Sequence, residues 1–316
     1  MMNIALNRIS GTMARPAPRR QMYVAPVALL AAGLLLAIST NLAKVAQGFG
    51  FTPLAYLTWS LAGATVLLTS ISHLRGKSVR LTRRTVEYFF VAGFLTTGAT
   101  NLIFFAAVTH LGVSFVALLI ALPPLLTYVG ALLLRIEGFC WWRAAGVTLA
   151  LAGAAILVMR KWSSPDGDQV WIVITLVGPV LLAAGNLYRT LRWPPGASAE
   201  ALAPGMLLGA MGILVPFSLL PGWTLSVPTE DAGAMALLAL QATVFAAQFF
   251  VLFVLQRAGG PVFLSLMGGV SAIFGVPIAM MLHDEAVMPA FLTSALLVAA
   301  GIASMLYGAR ACRGRL

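Results

Sequence analysis

Ten apolar runs divide the chain, at roughly 24–46, 53–72, 86–108, 112–134, 141–159, 170–190, 201–220, 234–256, 260–282 and 287–308. Each approaches the ~20 apolar residues that a helix needs to cross a bilayer. None alternates apolar and polar residues with period two, as the strand of a membrane barrel would. Polar and helix-breaking residues fall between the runs. Gly48 and Pro53 part the first two, Gly112 marks the turn between the third and fourth, and Ser163, Ser164, Pro165, Asp166 and Gly167 form a central linker. Pro194, Pro195 and Gly196 part the sixth from the seventh. The pattern predicts an all-α integral membrane protein with ten transmembrane helices.

Composition sharpens this reading. Of the 316 residues, 60% are hydrophobic and 9% charged, against roughly a quarter charged in soluble domains. A water-soluble enzyme cannot hide so much apolar surface, and a disordered chain would not carry it. The net charge of +11 does not point to nucleic acid, since no basic stripe with interleaved aromatics is present. Placing the N-terminus in the cytoplasm instead puts 17 of the 20 Lys and Arg residues in cytoplasmic segments. Only Lys44, Arg160 and Lys161 fall on the other side. Cytoplasmic loops are the positive ones, so both termini are expected in the cytoplasm. The two cysteines, Cys140 and Cys312, then lie at cytoplasmic helix ends, where a disulfide is not expected.

The chain also resembles itself. At a shift of 148 residues, ten of the 44 positions from 112 to 155 are identical, among them Gly112 with Gly260, Glu137 with Glu285 and Gly153 with Gly301. At a shift of 145, Asn41 faces Asn186 and Lys44 faces Arg189. The expected organisation is an N-terminal tail (1–23), a first five-helix repeat (24–160), a linker (161–169), a second five-helix repeat (170–308) and a C-terminal tail (309–316). Five is odd, so the second repeat enters the membrane inverted. That is the architecture of many secondary transporters, with the substrate between the halves.

Residues 25–308 resemble the drug/metabolite transporter superfamily, in particular its EamA-type members. The similarity lies in the small-residue start of the fourth run, Ser114 to Leu119, followed by Pro123 and Pro124. It continues in Glu137 with Gly146 and Gly153, in Glu285 with Gly301, and in Pro53 with the run Leu54–Ala64. The chain departs from the family in the first helix, where Ile38 and Ser39 precede Thr40 and Asn41, and in the second, where Thr58 and Trp59 stand in place of an Arg-Phe pair. The resemblance implies a bacterial inner-membrane carrier working by alternating access, mostly for export of amino acids, other metabolites or drug-like compounds. It implies a small-molecule substrate and the lipid bilayer as partners, with no cofactor and no nucleic acid. Monomer and homodimer both remain open.

Polar groups inside a membrane must face protein, water or ligand. Asn41, Asn101, Asn186 and Gln248 are therefore expected to orient a substrate, or else to join helices by hydrogen bonds. Trp59 is expected as an apolar wall of the site, and Lys44 either reaches the interface or attracts an anion at the outer mouth. Arg189, at the inner end of its helix, reads as a cytoplasmic anchor or a cavity residue. Gln241 shares a face with Gln248, and Thr97, Thr100 and Asn101 share another. Tyr56, Trp141 and Trp142 read as interfacial belt residues. Glu87, Glu137 and Glu285 read as helix caps.

Other classes have less support. A non-transporting sensor or scaffold is the main alternative. An intramembrane enzyme would need a nucleophile with its base, paired carboxylates or a metal set, and His73, His110 and His283 are far apart in the predicted topology. No acidic residue falls in mid-span, so nothing in the sequence marks a proton-coupling carboxylate.

Overall fold

The computed structural model describes residues 19–76, 81–164, 168–197, 199–284 and 289–312. Both predicted tails lie largely outside these residues, as do Glu285 and the linker positions Pro165, Asp166 and Gly167. We label the helices α1 (Arg19–Gly48), α2 (Pro53–Leu74), α3 (Arg83–Leu111), α4 (Val113–Leu133), α5 (Trp141–Trp162), α6 (Gln169–Leu191), α7 (Ala199–Leu214), α8 (Ala232–Ser265), α9 (Met267–His283) and α10 (Pro289–Ala311). Among the described residues, nine helices are long and apolar enough to cross a membrane, and α9 is a tenth apolar helix of 17 residues. At 1.5 Å per residue α9 spans about 25 Å.

Local chemistry accounts for many of the helix limits. The Thr52 hydroxyl accepts from the Ala55 amide at 3.1 Å, and Pro53 supplies a helix start that needs no N–H. Thr82 caps α3 through the Thr85 amide at 3.2 Å, so Glu87 is not the cap and instead accepts from the Tyr188 hydroxyl at 3.2 Å. Gly112, at φ +86°, turns the chain from α3 into α4. Asp168 caps α6 through the Trp171 amide. Glu137 pairs with Arg143 in the first turn of α5 rather than capping its backbone.

Two helices are interrupted inside the membrane. In α3 the stretch Phe94–Gly98 winds as a π-helix. In α4 the helix stops after Ile120 and resumes at Pro123. Pro123 and Pro124 have no N–H to continue the ladder, and a proline disfavours the helical region for the residue before it. Pro179 and Pro277 lie within uninterrupted helices, and Pro216 starts a 3₁₀ turn, Val215–Leu219, after α7.

One predicted boundary is corrected. The loop expected at 257–259 is helical, α8 continues to Ser265, and the break falls at Leu266. Glycine lowers helix propensity by only about 1 kcal/mol, so Gly259 and Gly260 do not stop a helix with apolar sequence on both sides.

The packing is reciprocal between α1–α5 and α6–α10. The first helix of each set packs on the third and fourth of the other: α1 on α8 and α9, and α6 on α3 and α4. The second packs on the third, α2 on α8 and α7 on α3. Equivalent helices pair directly as α2 with α7, α4 with α9 and α5 with α10. Small residues make the closest approaches. A Cβ on Gly146 would lie 2.5 Å from the Gly301 carbonyl oxygen, and one on Gly301 would lie 2.5 Å from that of Gly146. The Gly205-xxx-Gly209 ridge of α7 lies against Phe89 in the same way.

Two further expectations change. Cys140, at the start of α5, and Cys312, at the end of α10, form a disulfide with Cα atoms 6.3 Å apart. Packing of α5 against α10 brings these two helix ends together. Tyr56 is buried at 1% exposure between Phe51 and Phe105, with ring centroids 5.4 and 6.1 Å away. It is a core aromatic rather than a belt residue, because its face of α2 turns towards α3. Trp141 and Trp142 are exposed, as a belt requires.

Candidate functional site: a polar chamber between the two helix sets

A chamber of about 60 Å³ lies where α1, α3, α4, α6, α8 and α9 converge. Its polar wall combines Thr96, Thr100 and Asn101 of α3, Asn186 and Arg189 of α6, and Gln248 of α8. The apolar wall includes Leu36, Phe104, Phe249 and Leu252. Both helix sets therefore contribute polar groups.

The π-helical stretch shapes the α3 side. Widening the ring to i→i+5 leaves carbonyls that ordinary helical bonds do not use. The Thr100 hydroxyl donates to the Leu95 carbonyl at 2.6 Å, and Thr96 donates to Ala92 at 2.7 Å. The Asn101 amide donates to Thr97 at 2.8 Å, which fixes its carboxamide at the chamber wall. Thr97, expected on the same face, is fully buried.

Arg189 is the chamber's cation. It is only 3% exposed, and its guanidinium lies 5.8 Å from the centroid of the Phe253 ring. That distance is within cation–π range. A position near a helix end suggested an anchor in the cytoplasm, but packing of α6 against α3 and α4 encloses it. The internal repeat carried the signal, because Arg189 aligns with Lys44 and Asn186 with Asn41.

Gln248 is 5% exposed, and its Oε1 has no hydrogen-bond partner among the described residues. An unpaired amide oxygen in an apolar setting is costly, and a donor from a bound solute would relieve it. Gln241, two turns away, donates instead to the Ser39 hydroxyl at 2.6 Å and joins α8 to α1.

The structure thus brings together three of the six sequence-predicted residues, Asn101, Asn186 and Gln248. The other three lie elsewhere. Asn41 is buried at 1% exposure and donates to Ala37 at 2.9 Å and to Gly275 of α9 at 3.3 Å. Lys44 is half-buried one turn further along α1, outside the chamber lining. Trp59 is 46% exposed and donates from its indole to the Leu225 carbonyl at 2.9 Å, in the loop before α8.

The chamber offers a cation, three carboxamides and two threonine hydroxyls in an enclosed space. That set suits recognition of a polar or anionic group. The described residues contain no cluster of His, Cys, Asp or Glu able to hold a metal.

Residues 24–159 match the family model described as the EamA-like transporter family. No curated protein sequence matches the chain. Among 28 matching chains of solved structures is one described only as the crystal structure of a protein. It aligns over 89% of this chain and 97% of its own, with a TM-score of 0.63 and 19% identity. At that identity the likeness concerns the fold.

Proposed function

We propose that this multi-pass membrane protein, whose residues 24–159 match the EamA-like transporter family model, is a secondary transporter. It carries small polar or amphipathic metabolites across the inner membrane by alternating access, in the export direction, and is not an enzyme. The observation that carries this reading is the chamber, whose polar groups come from both helix sets, on α3 and on α6 and α8.

An inverted repeat is supported by the reciprocity of the contacts. The 148-residue shift sends Gly146 to Ser294 and Gly153 to Gly301. The Gly146–Gly301 contact has its counterpart in Gly153, whose Cβ would lie 2.7 Å from the Ser294 carbonyl oxygen. Ile120 and Gly268 are equivalent under the same shift and meet each other directly. A two-fold axis in the membrane plane relates contacts in this manner. With both termini in the cytoplasm, the excess of Lys and Arg falls on the cytoplasmic side.

In this mechanism Arg189, Asn101, Asn186 and Gln248 hold the solute. The two helix sets rock about the α5–α10 contact to open the chamber to one side at a time. Lys44 lies outside the chamber and attracts anions at the outer mouth. A melting-temperature panel of amino acids, purines, nucleotide sugars and cationic drugs on the purified protein tests the reading. A solute that binds only the folded state adds about 2.7 kcal/mol of apparent stability at a hundredfold excess over its Kd. A concentration-dependent shift that Asn186→Ala weakens supports the assignment. A shift that Asn186→Ala, Arg189→Met and Gln248→Leu all leave unchanged removes the chamber as the site.

A further inference from the structure

Behind the α4–α9 seam lies a second, larger cavity of about 530 Å³. Its lining is wholly apolar, from residues of α1, α4, α9 and α10 together with Leu266. Ile273, Leu292 and Leu296 on its rim are 63–69% exposed, so in a membrane the cleft opens towards the lipid.

The two cavities stand back to back. Ile120 and Gly268 line the chamber, and the next residue of each, Ala121 and Gly269, lines the cleft. The wall between them is one backbone layer thick, since a Cβ on Gly268 would collide with the Ile120 carbonyl. Both helices lose regularity beside this contact. The α4 ladder is interrupted at Ala121 and Leu122, and α9 begins after the break at Leu266. Parting the seam there disrupts few helical hydrogen bonds.

The contents of the two spaces are complementary. The chamber, at about 60 Å³, holds roughly four waters at about 15 Å³ each. That is room for a carboxylate or similar small head beside the Arg189 guanidinium. The cleft has no polar side chain but nearly nine times the volume.

We infer that chamber and cleft form one site for an amphipathic monoanion. The head sits against Arg189, and the aliphatic tail lies in the cleft after passing the α4–α9 seam from the bilayer. This rests on the transporter reading and specifies its substrate class.

The test uses the full chain in phosphatidylcholine nanodiscs, with acetate and octanoate as probes and affinity referred to free aqueous concentration. Octanoate is expected to bind at least about tenfold more tightly than acetate, since each buried methylene is worth roughly fourfold. Filling the cleft with Ala295→Phe on α10, or with Ala272→Phe on α9 if the first is poorly folded, is expected to weaken octanoate at least about tenfold and leave acetate unchanged. Arg189→Met is expected to weaken both. Octanoate binding untouched by both cleft variants would mean that the cleft holds only bilayer lipid, and would overturn the inference. So would equal affinity for the two probes, or no binding of either. In those cases a panel solute that still stabilises the protein through Asn186 leaves the transporter reading standing, and silence from every solute removes both.

Discussion

Gly146 of α5 and Gly301 of α10 meet backbone to backbone, each leaving no room for a Cβ against the other's carbonyl oxygen at 2.5 Å. Gly146→Ala and Gly301→Ala are each expected to destabilise the protein by about 1–3 kcal/mol, the usual cost of overpacking. The double variant should cost less than the sum, because separating the helices once accommodates both methyl groups. Gly48→Ala, where a Cβ would meet nothing within 4 Å, is the control and should stay within about 0.5 kcal/mol of the parent. Melting in a fixed detergent reads all four.

Gln248→Leu should separate stability from binding. Its Oε1 is buried without a partner, and an unsatisfied buried polar group costs about 1–3 kcal/mol. The ligand-free variant is expected to melt at or above the parent temperature, while affinity for any chamber solute falls about tenfold or more. Paired melting curves with and without the solute check both halves of this prediction.

The Cys140–Cys312 pair should report its compartment. A cytoplasmic position keeps thiols reduced. With the orientation proposed above, the disulfide is expected to be reduced in intact cells, where a membrane-permeant maleimide labels both cysteines, and to close on air oxidation of the purified protein, which then labels at neither. Cys140→Ser should leave the fold intact, because glycine contacts already join α5 and α10 along their length. Mass spectrometry of the labelled peptides distinguishes these outcomes.

Trp59→Phe should cost about 1 kcal/mol of stability, the usual worth of the lost indole hydrogen bond to Leu225. Solute affinity should stay within twofold, since Trp59 is not among the residues that line the chamber. Asn101→Ala, by contrast, should lower affinity as well as costing about 1 kcal/mol of stability, since its amide also donates to Thr97.

Much of the architecture was legible in the pattern of apolar runs, because a membrane leaves the backbone few choices and each span must be long and apolar. The boundary between α8 and α9 was not, since Gly259 and Gly260 look like a loop but are compatible with a helix. The chamber was legible in part. Asn101, Asn186 and Gln248 stood out as amides in mid-span, and that signal identifies buried polarity without saying what the group faces. Asn41 carries the same signal and joins α1 to α9. The Trp59 indole bonds to the loop before α8, a contact that periodicity does not describe. Arg189 reads as an anchor or a cavity residue in sequence, because proximity to a helix end does not reveal which neighbouring helices enclose it. The π-helical stretch of α3 has no sequence signature, yet it sets the position of Thr100 and Asn101.

A transporter carries across the membrane the solute that it holds between its two helix sets. Counterflow in proteoliposomes measures this, using a panel solute that raises the melting temperature. Saturable, transient accumulation of labelled solute driven by unlabelled solute inside is expected, abolished by Asn186→Ala combined with Gln248→Leu in a variant that still folds. Counterflow that persists unchanged in that variant, or a solute that binds the chamber and is never moved, would contradict the transporter reading.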